Sequence, residues 1–396
     1  MAVVEDKMIL NQAKTEFAKT LAPLDEASTL PPWTYTSQEF FDLEMERIFT
    51  KEWLNVGRID EVPNPGDYYT ITLLNEPLVV CRDEDGGIQV MSTVCRHRAA
   101  EVVESGSGNL KHFTCGYHLW TYSLKGNLIS TPAMENSKNF DMSEICLPRL
   151  KVEIWEGFIY VNFDPDAAPL APRLASVSER LKNYRLGDLR CRILEERDCP
   201  FNWKLMLDNF MEFYHVGGLH AGSHDPMPMH LSQAEDYNPN YVHSWGSIPE
   251  DRGTLWSVTG VDATIPVFEG LSPEELKMGQ FWLIFPHTLM FLSAEMVGYY
   301  RVLPVAPNRT DLRIYCMYRP EAFKEKNFEV RAQVAEDCLA FINSQDMWAC
   351  DSMQRGYQGP MMQQSRHQGR LSTYDKPCHN IARYVLEKVH NTGSFA

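Results

Sequence analysis

Basic residues are scarce in this sequence relative to acidic ones. Its 396 residues include 37 Lys and Arg against 53 Asp and Glu, which gives a formal net charge of −16. A surface with that balance repels phosphate groups, so we expect no broad nucleic-acid interface and no binding to an anionic membrane. The amino-terminal residues also lack a basic segment followed by an apolar run, and we expect no secretory signal there.

Long uninterrupted apolar stretches are missing as well. The most apolar segment, Phe281 to Tyr300, contains Pro286, His287 and Glu295. A membrane-spanning helix needs about 20 predominantly apolar residues. This segment instead predicts two buried strands around a Pro-His turn.

Ten cysteines without a secretory signal favour reduced thiols and a cytoplasmic location. Cys95 and Cys115 belong to the two Cys-His motifs described next. The other eight are scattered, and we interpret them as buried thiols: Cys81, Cys146, Cys191, Cys199, Cys316, Cys338, Cys350 and Cys378.

Two short segments each combine a cysteine with a histidine. Cys95 is followed two residues later by His97, and Cys115 is followed three residues later by His118. Each pair can come from one tight loop, so two loops can present two sulfur and two nitrogen ligands. Zinc accepts such a set, but its usual sites pair Cys with Cys and His with His. Mixed pairs suit a [2Fe–2S] cluster in which one iron takes two thiolates and the other takes two imidazoles.

The hydrophobic pattern predicts an α+β protein with two domains. Thr36 and Glu39 form a capping-box pattern before a helix that runs to about Lys51. Short Val-, Ile-, Thr- and Tyr-rich runs then indicate a small all-β domain over residues 46–163. Residues 1–45 and 164–396 form the second domain, in which strands at 280–319 predict an antiparallel sheet. Helices should flank that sheet, at about 174–184, 202–220, 327 to beyond 347, and 379–390.

The predicted helix over 202–220 carries a second candidate metal site. Asp208, Glu212 and His215 fall in one stripe of a regular helix, on a segment otherwise rich in large apolar side chains. His215 and His220 lie about 140° apart around such a helix, so both reach one ion only if the helix ends or widens between them. Two imidazoles and one carboxylate leave positions open on Fe(II) for oxygen chemistry.

The best candidate for the carboxylate ligand is Asp346. It continues the apolar stripe of Leu339 and Ile342 on the helix that begins near residue 327, where an apolar residue would be expected. Asp351 and Asp337 lie off that stripe, and we interpret them as solvated.

Both groups of residues resemble motifs of the Rieske non-haem iron oxygenases. The first motif reads Cys-Arg-His-Arg, then Cys-x-Tyr-His-x-Trp-x-Tyr-x-x-x-Gly, which ends at Trp120, Tyr122 and Gly126. Leu119 stands where many members of the family have Gly. The second motif and the carboxylate match Asn202-Trp203-Lys204, Asp208-Asn209, Glu212, Tyr214, His215, His220 and Asp346 before Gln354-Arg355-Gly356.

The resemblance implies a role for each of these residues. Residues 46–163 would be a Rieske domain with a [2Fe–2S] cluster held by Cys95, His97, Cys115 and His118. The other domain would hold mononuclear Fe(II) through His215, His220 and Asp346, with Asp208 and Glu212 as catalytic residues. Glu212 would link His118 of one subunit to His215 of a neighbour, which implies a homotrimer, possibly with a beta subunit.

The family resemblance also implies a terminal oxygenase that acts on a small organic substrate with O2 as co-substrate. Electrons would come from a reductase or ferredoxin, so that NAD(P)H serves only indirectly. We predict hydroxylation of an aromatic substrate. Many aromatic-ring dioxygenases have Asp where this chain has Glu212, whereas members acting on quaternary amines tend to have Glu. Hydroxylation or N-demethylation of a quaternary amine is therefore the alternative, followed by an electron carrier without catalysis and a zinc-stabilised binding module.

The sequence also predicts a docking surface and a substrate pocket. Basic residues near the cluster loops would dock an acidic electron donor, although simple solubilising charge is an equal alternative: Arg96, Arg98, Lys111 and Lys125. The substrate pocket would draw on the sheet around 281–300 and on loops at 221–270, where Trp245, Trp256 and Trp282 lie. Aromatic rings there could stack on a ring or surround a cation.

Overall fold

A computed structural model describes residues 14–221, 227–248 and 265–390. It divides into two compact units, Thr50–Pro172 and the combination of Met1–Phe49 with Arg173–Ala396. The sequence predicts the boundaries of the small domain at residues 46 and 163, whereas this unit spans Thr50–Pro172 in the structure. Within the three described ranges, every helix is too short or too polar to cross a bilayer.

Three antiparallel sheets build the unit Thr50–Pro172. Their strand orders are β1-β10-β9, β4-β3-β2-β5 and β6-β7-β8. The strands are β1 Leu54–Arg58, β2 Asp67–Leu73, β3 Glu76–Arg82, β4 Ile88–Ser92, β5 Ser107–Asn109, β6 His112–Thr114, β7 Thr121–Ser123, β8 Leu128–Ser130, β9 Lys151–Trp155 and β10 Phe158–Asn162.

The core of this unit lies under the two cysteine-histidine loops. Cys95 and Cys115 belong to one buried cluster with Phe113 and Tyr122, which face inward from the neighbouring strands β6 and β7. The loops are thereby anchored by apolar packing next to their sulfur atoms.

The other unit is built on one seven-stranded antiparallel sheet of order β11-β17-β16-β15-β14-β13-β12. The predicted antiparallel meander is confirmed, with Pro286 and His287 in the turn between two buried strands. The strands are β11 Arg190–Cys199, β12 Ser232–Ala234, β13 Tyr241–Ser247, β14 Met278–Ile284, β15 Thr288–Leu292, β16 Val297–Ala306 and β17 Arg309–Tyr318.

Helices accompany this sheet, as the α+β prediction required, and that fold class is confirmed. The long helix predicted from residue 327 runs to Gln358. The helices are α1 Lys14–Thr20, α2 Gln38–Glu44, α3 Leu170–Leu181, α4 Trp203–Met211, α5 Val216–Leu219, α6 Phe328–Gln358, α7 Pro360–Ser365 and α8 Lys376–His390.

Two details of the predicted helices were wrong. The residue that caps α2 is Ser37, not Thr36, because the Ser37 hydroxyl accepts the backbone N–H of Phe40 at 3.0 Å. The helix predicted over 202–220 is two helices, because Glu212 has an extended backbone (φ −100°, ψ 155°) that ends α4. Asp208, Glu212 and His215 therefore do not form the predicted stripe.

Candidate metal centres

Three predicted metal ligands, all in the unit built on the seven-stranded sheet, lie close together. One ligand atom each from His215, His220 and Asp346 lies within 4.8 Å of the other two. Oδ1 of Asp346 is 3.0 Å from Nε2 of His220 and 3.6 Å from Nε2 of His215. That oxygen is buried yet makes no hydrogen bond. Two nitrogens and one unsatisfied carboxylate oxygen on one side suit a ferrous ion with open positions.

The break in the helix explains how both histidines reach this point. One carboxylate oxygen of Glu212 accepts the backbone N–H groups of Tyr214 and of His215, the latter at 3.1 Å. This side chain satisfies donors at the start of a new helix and so competes with continuation of α4. His215 then lies at the amino end of the one-turn helix α5, and His220 follows its carboxyl end.

Each histidine ring is oriented by an oxygen on its other nitrogen. Oε1 of Glu212 lies 2.5 Å from Nδ1 of His215, and Oε1 of Gln345 lies 2.9 Å from Nδ1 of His220. Such an acceptor holds the proton on Nδ1 and leaves the Nε2 lone pair for a metal. Sequence reasoning missed Gln345; its place next to Asp346 was the only signal.

Asp208 is not among the residues that line the pocket beside the three ligands. Its Oδ2 accepts the Tyr35 hydroxyl at 3.1 Å, and its backbone carbonyl is 3.5 Å from Sγ of Cys378. Burial raises the pKa of the Asp208 carboxyl to about 7. A direct catalytic role for Asp208 stays a prediction.

A pocket opens beside the three ligands, which form part of its lining. Besides the ligands and Glu212, its described lining is mostly apolar or amide-bearing, with Asn209, Phe210, Phe213, Val216, Phe281, Phe291, Tyr300, Leu339, Ile342 and Asn343. The pocket thus draws on the predicted sheet region.

The two described tryptophans of the predicted pocket pack elsewhere. Trp245 and Trp282 do not line the pocket, because both stack on His243, at ring-centroid distances of 4.9 and 4.0 Å. Trp256 lies outside the described residues.

The two cysteine-histidine loops share one backbone hydrogen-bond scheme. The N–H of Ala99 donates to the carbonyl of Cys95, and the N–H of Leu119 donates to the carbonyl of Cys115, both at 3.0 Å. Ala99 and Leu119 each have φ of 61°, a left-handed conformation. This conformation explains why Gly is common in the family at the position of Leu119.

The four predicted cluster ligands lie in these loops. The two thiols are buried, at 3% and 2% residue exposure, and the rings of His97 and His118 are 4.6 Å apart by centroid. Nδ1 of His118 is buried without a hydrogen-bond partner. Two thiols, two neighbouring imidazoles and an unsatisfied ring nitrogen suit a cluster with one two-sulfur and one two-nitrogen iron.

The basic residues near these loops differ in their availability. Arg96, Arg98 and Lys111 are exposed. Lys125 forms ion pairs with Asp85 and, at 3.7 Å, with Glu84. Its charge is therefore partly offset locally, and a role of Lys125 in docking an acidic donor stays a prediction.

Known families match both units. Residues 52–144 match the Rieske [2Fe-2S] domain, and residues 186–390 match the ring hydroxylating alpha subunit (catalytic domain). The chain is 29% identical to choline monooxygenase, chloroplastic, of Arabidopsis thaliana, across 94% of this chain and 85% of that protein. It is 37% identical to the carnitine monooxygenase oxygenase subunit of Acinetobacter baumannii, but this match covers only 51% of this chain and 55% of that subunit.

A solved structure shows the same fold. Naphthalene 1,2-dioxygenase from Rhodococcus sp., bound to indole, superposes with a TM-score of 0.78 and 20% identity, over 97% of this chain and 99% of that one. The resemblance to Rieske oxygenases is confirmed by these matches. The chain belongs to the ring hydroxylating alpha subunit family of Rieske non-haem iron oxygenases, which carry a [2Fe–2S] cluster and a mononuclear iron.

Proposed function

We propose that this chain is the terminal oxygenase component for a small quaternary ammonium substrate without an acidic group. Hydroxylation next to the nitrogen, or N-demethylation, would be the reaction. The sequence favoured an aromatic substrate, and the absence of basic side chains from the described pocket lining, together with the relative named choline monooxygenase, changes that preference. The observation that carries the proposal is a ring-lined pocket with two carboxylates and, among its described lining residues, no Lys or Arg.

The ligand sets would divide the chemistry between them. When bound, the irons supply O2 activation with electrons that enter through the cluster. Cys95, His97, Cys115 and His118 would hold the cluster, while His215, His220 and Asp346 would hold the mononuclear iron. Glu212 would keep the His215 ring in place by accepting a hydrogen bond from its Nδ1–H group.

The charge of the pocket argues against an anionic substrate. Glu212 and Asp346 both line it, and together they offset the two positive charges of a ferrous ion. A substrate carboxylate would then be buried without a cationic partner, which costs several kcal/mol. A quaternary ammonium group is less strongly hydrated than a carboxylate and needs no hydrogen-bond acceptor.

Aromatic rings supply the attraction for such a cation. Phe210 and Tyr300 are 4.8 Å apart by ring centroid, Phe213 and Phe281 are 5.0 Å apart, and Phe281 and Phe291 are 4.9 Å apart. Ring faces attract cations by about 0.5–2 kcal/mol each when water is excluded. A relative named choline monooxygenase, and Glu212 in place of the family's frequent Asp, agree with this substrate class.

The test compares substrates that differ only in charge. With a surrogate reductase, substrate-dependent O2 uptake is measured for choline and for its neutral carbon isostere 3,3-dimethylbutan-1-ol. We expect kcat/KM to favour choline by at least about tenfold, because the isostere has the same shape without the charge. Equal values, or uptake only with the isostere, would contradict the proposal.

A neutral aromatic ring is the second candidate. Val216, Leu339 and Ile342 give the pocket an apolar wall that fits a hydrocarbon as well as methyl groups. Benzene and benzoate form the second pair of the assay. Product from benzene alone would support this candidate.

We also propose a trimer and an acidic electron donor. Tyr117 and Leu119 of the cluster loops and Tyr214 beside Glu212 are exposed apolar residues, at 60, 57 and 57%. Such side chains are suited to an interface between copies, where Glu212 could meet the neighbour's cluster histidine. Light scattering should report three copies. Charge reversal at Arg96 and Arg98 should raise the donor's KM and reduce its salt dependence.

A further inference from the structure

Asn343 lines the pocket and carries an unused hydrogen-bond donor. This residue lies on α6, is 3% exposed and lines the pocket. Its Nδ2 is buried and has no hydrogen-bond partner. Leaving a buried donor unsatisfied is unfavourable, so such a group in a binding pocket points to a ligand atom that completes it.

Tyr300 fixes which end of the Asn343 amide faces the pocket. The Tyr300 hydroxyl donates to Oδ1 of Asn343 at 2.8 Å. Burial raises the pKa of Tyr300, so its hydroxyl keeps its proton. If the Asn343 amide were flipped, its NH2 group would face the Tyr300 hydroxyl. The hydroxyl proton would then have no acceptor on Asn343. The amide therefore presents Nδ2.

The donor is close to the ligand set. Asn343 precedes Asp346 by one helical turn, and both lie in the stripe of α6 that includes Leu339 and Ile342. A second unsatisfied amide atom lines the same pocket: Oδ1 of Asn209 is buried without a partner. One free donor and one free acceptor match a hydroxyl group, which accepts one hydrogen bond and donates another.

We infer that Asn343 is a specificity-determining residue that donates from Nδ2 to a hydroxyl oxygen of the substrate. Asn209 Oδ1 accepts the hydroxyl proton, and Tyr300 is a positioning residue that holds the Asn343 amide. This inference rests on the proposed function for the positive charge of the substrate. With that charge, the substrate is a quaternary ammonium alcohol. The hydroxyl contact itself does not depend on that charge.

The main experiment removes the donor and compares two matched substrates. Choline carries the hydroxyl, and ethyltrimethylammonium has the same skeleton without it. In the wild-type chain we expect kcat/KM and calorimetric Kd to favour choline about tenfold. Asn343→Leu keeps the side-chain size but has no donor, so the preference should fall to about one while ethyltrimethylammonium binds at least as tightly as before.

Tyr300→Phe tests the positioning role. It leaves the Asn343 amide in place but frees it to flip, so the preference for choline should fall only partly. The loss should appear as a larger rise in KM for choline than for ethyltrimethylammonium. Iron content and the melting temperature of both variants establish that the fold and the ligand set persist. Loss of kcat equally on both substrates would show a structural role and remove Tyr300 from the inference.

A neutral pair separates this inference from the proposed function. Benzyl alcohol and toluene differ by the same hydroxyl without any charge. If neither ammonium compound is oxidised but Asn343→Leu abolishes a preference for benzyl alcohol, the proposed function fails and the hydroxyl contact stands. If Asn343→Leu retains the wild-type preference, or if the wild type shows no preference in either pair, the inference is overturned and the amide binds only water.

Discussion

Glu212 holds His215 through both oxygens of its carboxylate. Oε1 is 2.5 Å from the ring Nδ1, and Oε2 accepts the backbone N–H of the same residue at 3.1 Å. A single side chain thus sets the ring orientation and the turn of the chain that aims the ring.

Glu212→Gln should separate the charge of this contact from its shape. Glutamine keeps the length and an oxygen acceptor but not the negative charge that makes the imidazole a stronger ligand. We expect both kinds of iron to remain while turnover falls at least about tenfold. Iron analysis and O2 uptake are the measurements, with exposed Glu179→Gln as the matched control. Wild-type turnover would remove Glu212 from the mechanism.

His215→Ala should remove the mononuclear iron and leave the cluster. The variant retains one imidazole and one carboxylate, which is too few ligands for tight Fe(II) binding. Iron should fall from roughly three to two per chain, with the brown-red absorption unchanged. His367→Ala, at an exposed histidine, is the control. Three irons per chain in His215→Ala would contradict the assigned ligand set.

Tyr122→Phe should lower the reduction potential of the cluster. The Tyr122 oxygen lies 3.3 Å from Sγ of Cys95 and accepts the backbone N–H of Arg96 at 3.0 Å. A hydrogen bond to a ligating sulfur favours the reduced cluster, and about 1 kcal/mol corresponds to roughly 40 mV for one electron. A redox titration followed by EPR measures the shift. Tyr237→Phe, at a tyrosine whose hydroxyl donates to Glu387 in the other unit, should leave the potential unchanged. Equal potentials in the wild type and both variants would contradict the prediction.

The effect of substitutions at Leu119 on stability should depend on its left-handed backbone conformation. With φ of 61° and 57% exposure, the side chain gains little from packing but strains the backbone. Leu119→Gly should not lower the free energy of unfolding of this unit, whereas β-branched Leu119→Val should lower it by about 1–2 kcal/mol. Thermal denaturation of the cluster absorption measures both. The reverse order would show that the loop changes its conformation.

Asp208→Asn should change how stability depends on pH. Burial raises the pKa of Asp208 from 3.8 to about 7, so the folded chain binds an extra proton between these values. Stability contributed by the protonated form is then lost as pH rises through this window. Asparagine cannot ionise and still accepts the Tyr35 hydroxyl. The variant should match the wild type near pH 4 and exceed it by on the order of 3 kcal/mol at pH 8.

Denaturant unfolding at several pH values measures this effect. The control is Asp198→Asn, because the Arg309 guanidinium bonded to Asp198 lowers the pKa of that carboxyl. Its effect should therefore be constant between pH 5 and 8. A constant difference for Asp208→Asn as well would mean that Asp208 ionises normally.

The residue types of both metal centres could be predicted from the sequence because ligand chemistry restricts them and short spacing makes them local. Cys95 with His97, and Cys115 with His118, need only one loop each. Asp346 followed from the helical period, since a carboxylate interrupted an apolar stripe. The antiparallel meander followed from the alternation of strands and turns in the chain.

Other features depended on hydrogen bonds that the hydrophobic periodicity of the sequence does not reveal. The predicted helix over 202–220 ends at Glu212 because its carboxylate satisfies backbone donors ahead of it, which a helical pattern does not reveal. Gln345 reaches His220, and Tyr300 reaches Asn343, only after the sheet and α6 have packed.

The sequence by itself thus determined which donor residues this chain offers at its two candidate metal sites. Tertiary structure decided where the ligand atoms of those residues point, because orientation depends on hydrogen bonds between residues far apart in the chain. The charge of the pocket, and with it the proposed substrate, followed from the same long-range packing.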